Sequence, residues 1–120
     1  MENQIAWIKK GEFAIIEFLL DRIDLFETSK YLAYIEKKLA ENGYSDIVVD
    51  LSNAMFIDSS GIGTLIALQS RLQKNSKEMI VVSDNETILK VFEITKMYDF
   101  FKVVSTLDEA SSYLEKKDTA

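Results

Sequence analysis

Apolar positions along this chain alternate between short extended runs and longer runs at helical spacing. Ile5 to Lys9 and Phe13 to Leu20 are two brief, β-branched-rich runs parted by Lys10-Gly11-Glu12. That spacing predicts a β-hairpin with Gly11 in its turn. Asp24 then opens Asp-Leu-Phe-Glu, an acidic helix cap with Glu27 three residues on. Behind it Leu25, Tyr31, Leu32, Ile35 and Leu39 keep helical spacing, and Asn42-Gly43 marks the stop.

Ile47 to Leu51 is a nearly continuous apolar run, the pattern of a strand covered on both faces. After Ser52 to Ile57 comes Asp58-Ser59-Ser60-Gly61, then Ile62, Leu65, Ile66, Leu68 and Leu72. That spacing predicts a second helix, apolar nearly all round at its start and therefore buried in its first turns. Met79 to Val82 reads as another buried strand, and Ser83-Asp84-Asn85-Glu86 as a capping box for a helix carrying Ile88, Leu89, Val91 and Phe92. Phe101 to Val104 is a last strand, and Thr106-Leu107-Asp108-Glu109 caps a terminal helix with Ala110, Tyr113 and Leu114.

The order is β-β-α-β-α-β-α-β-α, without internal repeat. Strands alternating with helices imply an α/β fold, a mostly parallel sheet covered by about four helices with an antiparallel hairpin at its start. In such sheets functional groups gather beyond the carboxyl ends of the strands. Asp24, Asp58 to Gly61 and Ser83-Asp84 are all expected there.

Composition narrows the chemistry. The 120 residues make one domain, 1–120, with 48% apolar and 28% charged residues and no proline. No cysteine means no disulfide, thiolate nucleophile or cysteine-based zinc site; no histidine removes the commonest general base and transition-metal ligand. A Ser-His-Asp hydrolase is excluded within this chain. A net charge of −6 argues against direct nucleic-acid binding, and the basic pairs Lys9-Lys10, Lys37-Lys38 and Lys116-Lys117 read as solvated faces. Met1 to Gln4 lacks the basic start of a signal peptide, and the apolar runs fall short of the ~20 residues a membrane helix needs. The expectation is a cytoplasmic protein without membrane insertion.

The segment from Met55 to Leu65, M-F-I-D-S-S-G-I-G-T-L, carries the chemistry. Asp58 and Ser59 sit where a loop enters a helix, and both suit an N-cap. The first backbone N–H groups there lack internal acceptors, and the helix dipole adds partial positive charge. A serine so placed suits phosphorylation, because the dianion would rest against free amides. Gly61 and Gly63 keep side chains short and allow another backbone to come close. By itself, Asp-Ser-Ser-Gly is more often a plain cap than a regulatory site. Ile62, Leu65, Met97, Tyr98, Phe100 and Phe101 read as core rather than ligand contacts.

In context, the chain resembles the STAS-domain anti-sigma factor antagonists. The resemblance runs through I-V-V-D-L, the six-residue loop after it, F-I-D-S-S-G-I-G, M-I-V-V-S and I-L-K-V-F-E-I-T-K-M-Y-D-F-F-K-V-V, covering about residues 5–114. It implies a STAS fold and a regulator that is not itself an enzyme and needs no cofactor. It implies phosphorylation at Ser59 and a docking face of Asp24, Asp58, Ser59, Ser60, Gly61 and Ile62. The implied partners are an anti-sigma factor that is also a serine protein kinase, bound while Ser59 is unphosphorylated, and a serine phosphatase that resets the switch. Asp21 stands where this family usually has glycine, three residues before the aspartate that opens the first helix.

Other readings differ in class. A response-regulator receiver would use Asp50, at a strand's end, as phosphoacceptor. It needs an acidic pair after its first strand for Mg²⁺, and Lys10-Gly11-Glu12 is no such pair. A STAS-fold subunit of a lipid-transport or stress-signalling assembly would keep Ser59 as a cap at a constant interface. A nucleotide-binding module would need a phosphate-cradling loop, and only Ser59 to Gly63 comes near one.

Overall fold

The computed structural model describes residues 4–23 and 28–119. Its hairpin pairs β1 (Ile5–Lys10) with β2 (Phe13–Phe18), and Gly11 takes a φ of +59° in the turn. This left-handed value favours a residue without Cβ. Then follow β3 (Arg22–Ile23), α1 (Thr28–Asn42), β4 (Asp46–Asp50), β5 (Phe56–Ile57) and α2 (Ser59–Lys74). β6 (Met79–Val82), α3 (Glu86–Ile94), β7 (Lys102–Val104) and α4 (Leu107–Thr119) complete the chain, with a 3₁₀ turn at Met97–Asp99. The cap expected at Asp24, with Leu25 and Glu27 behind it, lies outside the described residues.

Five strands form one sheet in the order β1-β2-β4-β6-β7, antiparallel between β1 and β2 and parallel elsewhere. Side chains alternate across it, so the inner strands feed two cores. Ala14, Ile16, Ile47, Val49, Met79 and Val81 pack under α1, α2 and α3. Phe13, Ile15, Val48, Ile80 and Val82 pack under α4, through Ala110 and Leu114. Phe18 meets Tyr31 edge-on at 5.4 Å between ring centres, fixing α1 to the sheet.

The architecture is the one expected, with several differences. β3 and β5 form a separate parallel pair that the hydrophobic pattern did not announce. Two residues carry no periodicity, so only the tertiary fold defines such a pair. α3 is capped by Asn85, whose side chain accepts from the Ile88 N–H, rather than by a box starting at Ser83. Ser83 instead accepts from the Asn85 N–H. The box at Thr106 and Glu109 is present as expected.

The start of α2 is buried on one side only: Ile62, Thr64 and Leu65 face inward, while Gly63 is exposed and Ile66 keeps 37% of its surface open. Met97 and Phe101 are core, but Tyr98 and Phe100 are 49% and 50% exposed, because the 3₁₀ turn carries residues 98 to 100 outward between them. Lys117 is exposed as expected, and it also bridges Asp46 and Glu78, both at 3.2 Å.

Candidate functional site

β4 ends at Asp50, whose carboxylate accepts the Ser52 N–H and hydroxyl and turns the chain out of the sheet. The next contacts run sideways. Met55 N–H and Phe56 N–H both donate to the Asp21 carbonyl, at 2.7 and 3.2 Å, and Asp58 N–H donates to the Ile23 carbonyl at 3.2 Å. The loop is thereby stitched to β3 immediately before α2 begins. Asp21 serves this through its backbone. It is not among the described residues with positive φ, so the position does not require the glycine usual in the family.

Asp58 is the N-cap of α2: its backbone is extended and its Oδ1 accepts the Gly61 N–H at 3.0 Å. One of the helix's orphan donors is thus satisfied by the chain itself. Ser59 is the first helical residue and is exposed; Asp58 and Ser60 are partly covered. Gly61 is buried against β3 and β5. A Cβ there would lie 2.5 Å from Ile57 Cγ1 and 2.8 Å from the Ile23 carbonyl oxygen, one of them rigid backbone. The close approach expected of both glycines belongs to Gly61 alone, since a Cβ at Gly63 would meet nothing within 4 Å.

The fold therefore brings Asp58, Ser59 and Ser60 together at the surface. Gly61 and Ile62 are buried (Ile62 is 6% exposed), so they support the site from beneath and do not line it. Asp24 lies outside the described residues. Around Ser59 the outer surface of α2 continues through Gly63 to Ile66, four and seven residues on and so on one helical face. Met55, 65% exposed, projects from the preceding loop.

Sequence reasoning missed one feature beside the site. Arg22, in register with Phe56 across the β3–β5 pair, lays its guanidinium over the Phe56 ring at 4.1 Å from the centre. No local pattern signals this cation–π contact, because its two members are 34 positions apart (56 − 22) and meet only through the two-residue pair.

A second polar cluster lies at the opposite end of the sheet. Asp46 accepts the Glu78 N–H at 2.8 Å and both its oxygens accept from Lys117 Nζ at 3.2 Å. Tyr113 donates its hydroxyl to Glu78 at 2.9 Å, and this bond, with partial burial, raises the phenol above its ordinary 10.0. Burial disfavours the Lys117 cation, but the hydrogen bonds from Lys117 to Asp46 and Glu78 outweigh it and raise the ammonium above its usual 10.5. Nearby grooves of about 500 and 430 Å³ share Lys102 and Tyr113, and neither includes a residue of 58–62. Among the described residues there is no acidic cluster able to hold a metal ion and no helix long and apolar enough to cross a membrane.

A five-stranded sheet with this hairpin, this helix order and a capped serine at the start of α2 defines a class. The STAS domain model matches residues 12–110, and the chain belongs to the STAS domain family. Within it, the chain is similar to the anti-sigma-B factor antagonist of Staphylococcus aureus, 32% identical over 65 residues. That match takes in 54% of this chain and 60% of the relative's length.

The fold is shared with solved structures. An anti-sigma factor antagonist from Mycobacterium paratuberculosis superposes with a TM-score of 0.82 at 20% identity, covering 93% of each chain. The phosphorylated form of the Bacillus cell fate determinant SpoIIAA superposes at 0.70 and 20% identity, over 92% of this chain and 98% of that one.

Proposed function

We propose that this protein is an anti-sigma factor antagonist, a partner-switching regulator in the bacterial cytoplasm whose state is written on Ser59. Unphosphorylated, it binds an anti-sigma factor that is also a serine kinase and so frees a sigma factor. Phosphorylated, it lets that partner go until a serine phosphatase resets it. The observation that carries this reading is the exposed hydroxyl of Ser59 on the first residue of a capped helix, on a backbone stitched to β3. The similarity to the staphylococcal antagonist supports it.

The chemistry belongs to the partner. The kinase supplies ATP and Mg²⁺, the γ-phosphoryl group passes to the Ser59 hydroxyl oxygen, and ADP and a proton leave. This chain is acted upon. The added group brings about −1.5 to −2 charges beside Asp58 on a chain already at −6. At a helix N-terminus that charge is compatible with the fold. Trapped without a partner in a docked interface, it costs about 3 kcal/mol or more, a hundredfold or more in affinity. Binding is lost while the structure is kept.

The receiver reading fares worse on geometry. Asp50 is 6% exposed and its Oδ1 already accepts both the Ser52 N–H and hydroxyl, a poor setting for the exposed phosphoacceptor that reading needs.

Phosphopeptide mass spectrometry on the protein from its own cells, with co-purifying proteins identified in the same run, tests the proposal. Phosphate on Ser59 together with a bound serine kinase is the expected result. An unmodified Ser59 across growth and stress conditions, with no kinase bound, would sink it. In a binding assay with that kinase, Ser59→Ala should hold on constitutively and Ser59→Asp should bind at least tenfold more weakly.

A further inference from the structure

The 3₁₀ turn between α3 and β7 exposes Tyr98, Asp99 and Phe100 in succession, between the buried Met97 and Phe101. These three residues line the groove of about 430 Å³ whose other walls include Gln69, Glu78, Lys102 and Tyr113. It lies by the start of β6, at the end of the sheet opposite Ser59. Single exposed apolar side chains are ordinary on a protein surface. Two half-exposed rings with a carboxylate between them are a more specific arrangement.

The rings are held in place. Tyr98 meets Phe92 edge-on at 6.4 Å between centres, and the buried Phe92 in turn meets Phe101 at 5.5 Å. The Phe100 carbonyl accepts from Gln69 Nε2 at 2.6 Å, and the Phe100 N–H donates to the Met97 carbonyl at 2.9 Å. The turn is thereby tied to α2, so little ordering is left to oppose the arrival of a ligand.

The charges of the groove are unevenly committed. Glu78 is engaged by Lys117 and Tyr113, and the Lys102 ammonium lies over the Tyr113 ring, 5.0 Å from its centre. The Asp99 carboxylate has neither a cation nor a hydrogen-bond donor among the described residues. Its natural complement is a planar cation. A guanidinium lays its flat face on aromatic rings and its fork on both oxygens of a carboxylate. An ammonium, compact and strongly hydrated, gains less from either.

We propose that Tyr98, Asp99 and Phe100 form a receptor for an arginine side chain presented by a different protein. A second copy of this chain does not fit, because both its arginines are engaged: Arg22 lies over Phe56 and Arg71 pairs with Glu36 at 2.9 Å. The receptor goes beyond the switch above and does not depend on it. No residue of 58–62 lines the groove, so the chain can hold this partner whatever the state of Ser59. Exposed aromatic rings are also the usual anchors of protein interfaces.

The test titrates the ¹⁵N-labelled chain with the capped tripeptide acetyl-Gly-Arg-Gly-amide, and with its lysine counterpart, by NMR. The arginine peptide should bind saturably with a Kd on the order of 1 mM, as befits a single anchor. The shifts should centre on residues 97–102 and the Gln69 side-chain amide. The lysine peptide should bind about threefold more weakly or worse. Asp99→Asn, which keeps the shape and removes the charge, should weaken the arginine peptide about tenfold. Tyr98→Ala should weaken it about threefold, and Ser59→Asp should leave it unchanged.

The three substituted positions are exposed, and the spectra themselves report whether each variant is folded. Equal affinity for the two peptides, an Asp99→Asn variant that binds as well as the unaltered chain, or no saturable shift at the turn would overturn the proposal. Signals of the turn that move on dilution of the protein alone would also overturn it, by showing a contact between copies. None of these results bears on phosphorylation of Ser59.

Discussion

Two aspartates at opposite ends of one sheet do the same local job and leave opposite surfaces behind. Asp58 and Asp46 each accept a backbone N–H, from Gly61 and Glu78 respectively. At the lower end the remaining capacity is used up: Lys117 closes on Asp46 and Glu78, and Tyr113 adds its hydroxyl. At the upper end the cap fixes the backbone, and the next residue, Ser59, keeps an exposed hydroxyl. Polar groups saturated by the chain pin the terminal helix; a polar group left open on a pinned backbone is available to another protein.

The comparison can be broken most forcefully from beneath. Gly61→Ala puts a methyl into backbone and the Ile57 side chain, and should destabilise the fold by about 2–3 kcal/mol in urea unfolding. Gly63→Ala meets nothing and should stabilise it by up to about 1 kcal/mol. If both substitutions behaved alike, the tight seat under Ser59 would be refuted.

Removing each carboxylate sharpens the contrast. Asp46→Ala deprives a half-buried network of its acceptor and should cost about 2 kcal/mol. Asp58→Ala removes the helix cap and should cost about 1 kcal/mol, with partner affinity affected more than stability.

The lower cluster also has a pH signature. The Lys117 and Tyr113 pKa values are raised in the folded state, so their contributions are complete below 10.0 and are lost as pH rises through the raised values. Glu78→Gln should therefore flatten the alkaline limb of stability against pH, whereas Asp58→Ala should leave its shape unchanged. The smallest expected effect is that of Ser59→Ala on stability, within about 0.5 kcal/mol by thermal melting, since the lost hydroxyl is exposed.

Much of this was legible in the residues. The unbroken apolar runs of I-V-V-D-L and M-I-V-V, and the helical spacing after Ser59, prescribe the sheet and its helices because each of these strands has two faces to bury. Asp58 and Thr106 announce their helices through side chains that bond a few residues away. Arg22 with Phe56 and Lys117 with Asp46 could not be read this way. Their partners are distant in sequence, and the pairing exists only once β3 meets β5 and α4 lies across the sheet. The outward rings of Tyr98 and Phe100 likewise depend on a 3₁₀ turn that the apolar pattern does not distinguish from more strand.

The seat beneath Gly61 has a bearing on timing. With no room under the first turn of α2, a phosphoryl group on Ser59, as the proposed switch has it, would add charge above a turn that cannot sink inward. A switch of that kind keeps no record of its past. In the proposed switch, hydrolysis of the ester would restore the docking surface without a refolding step, so the signal would last as long as the ester bond does.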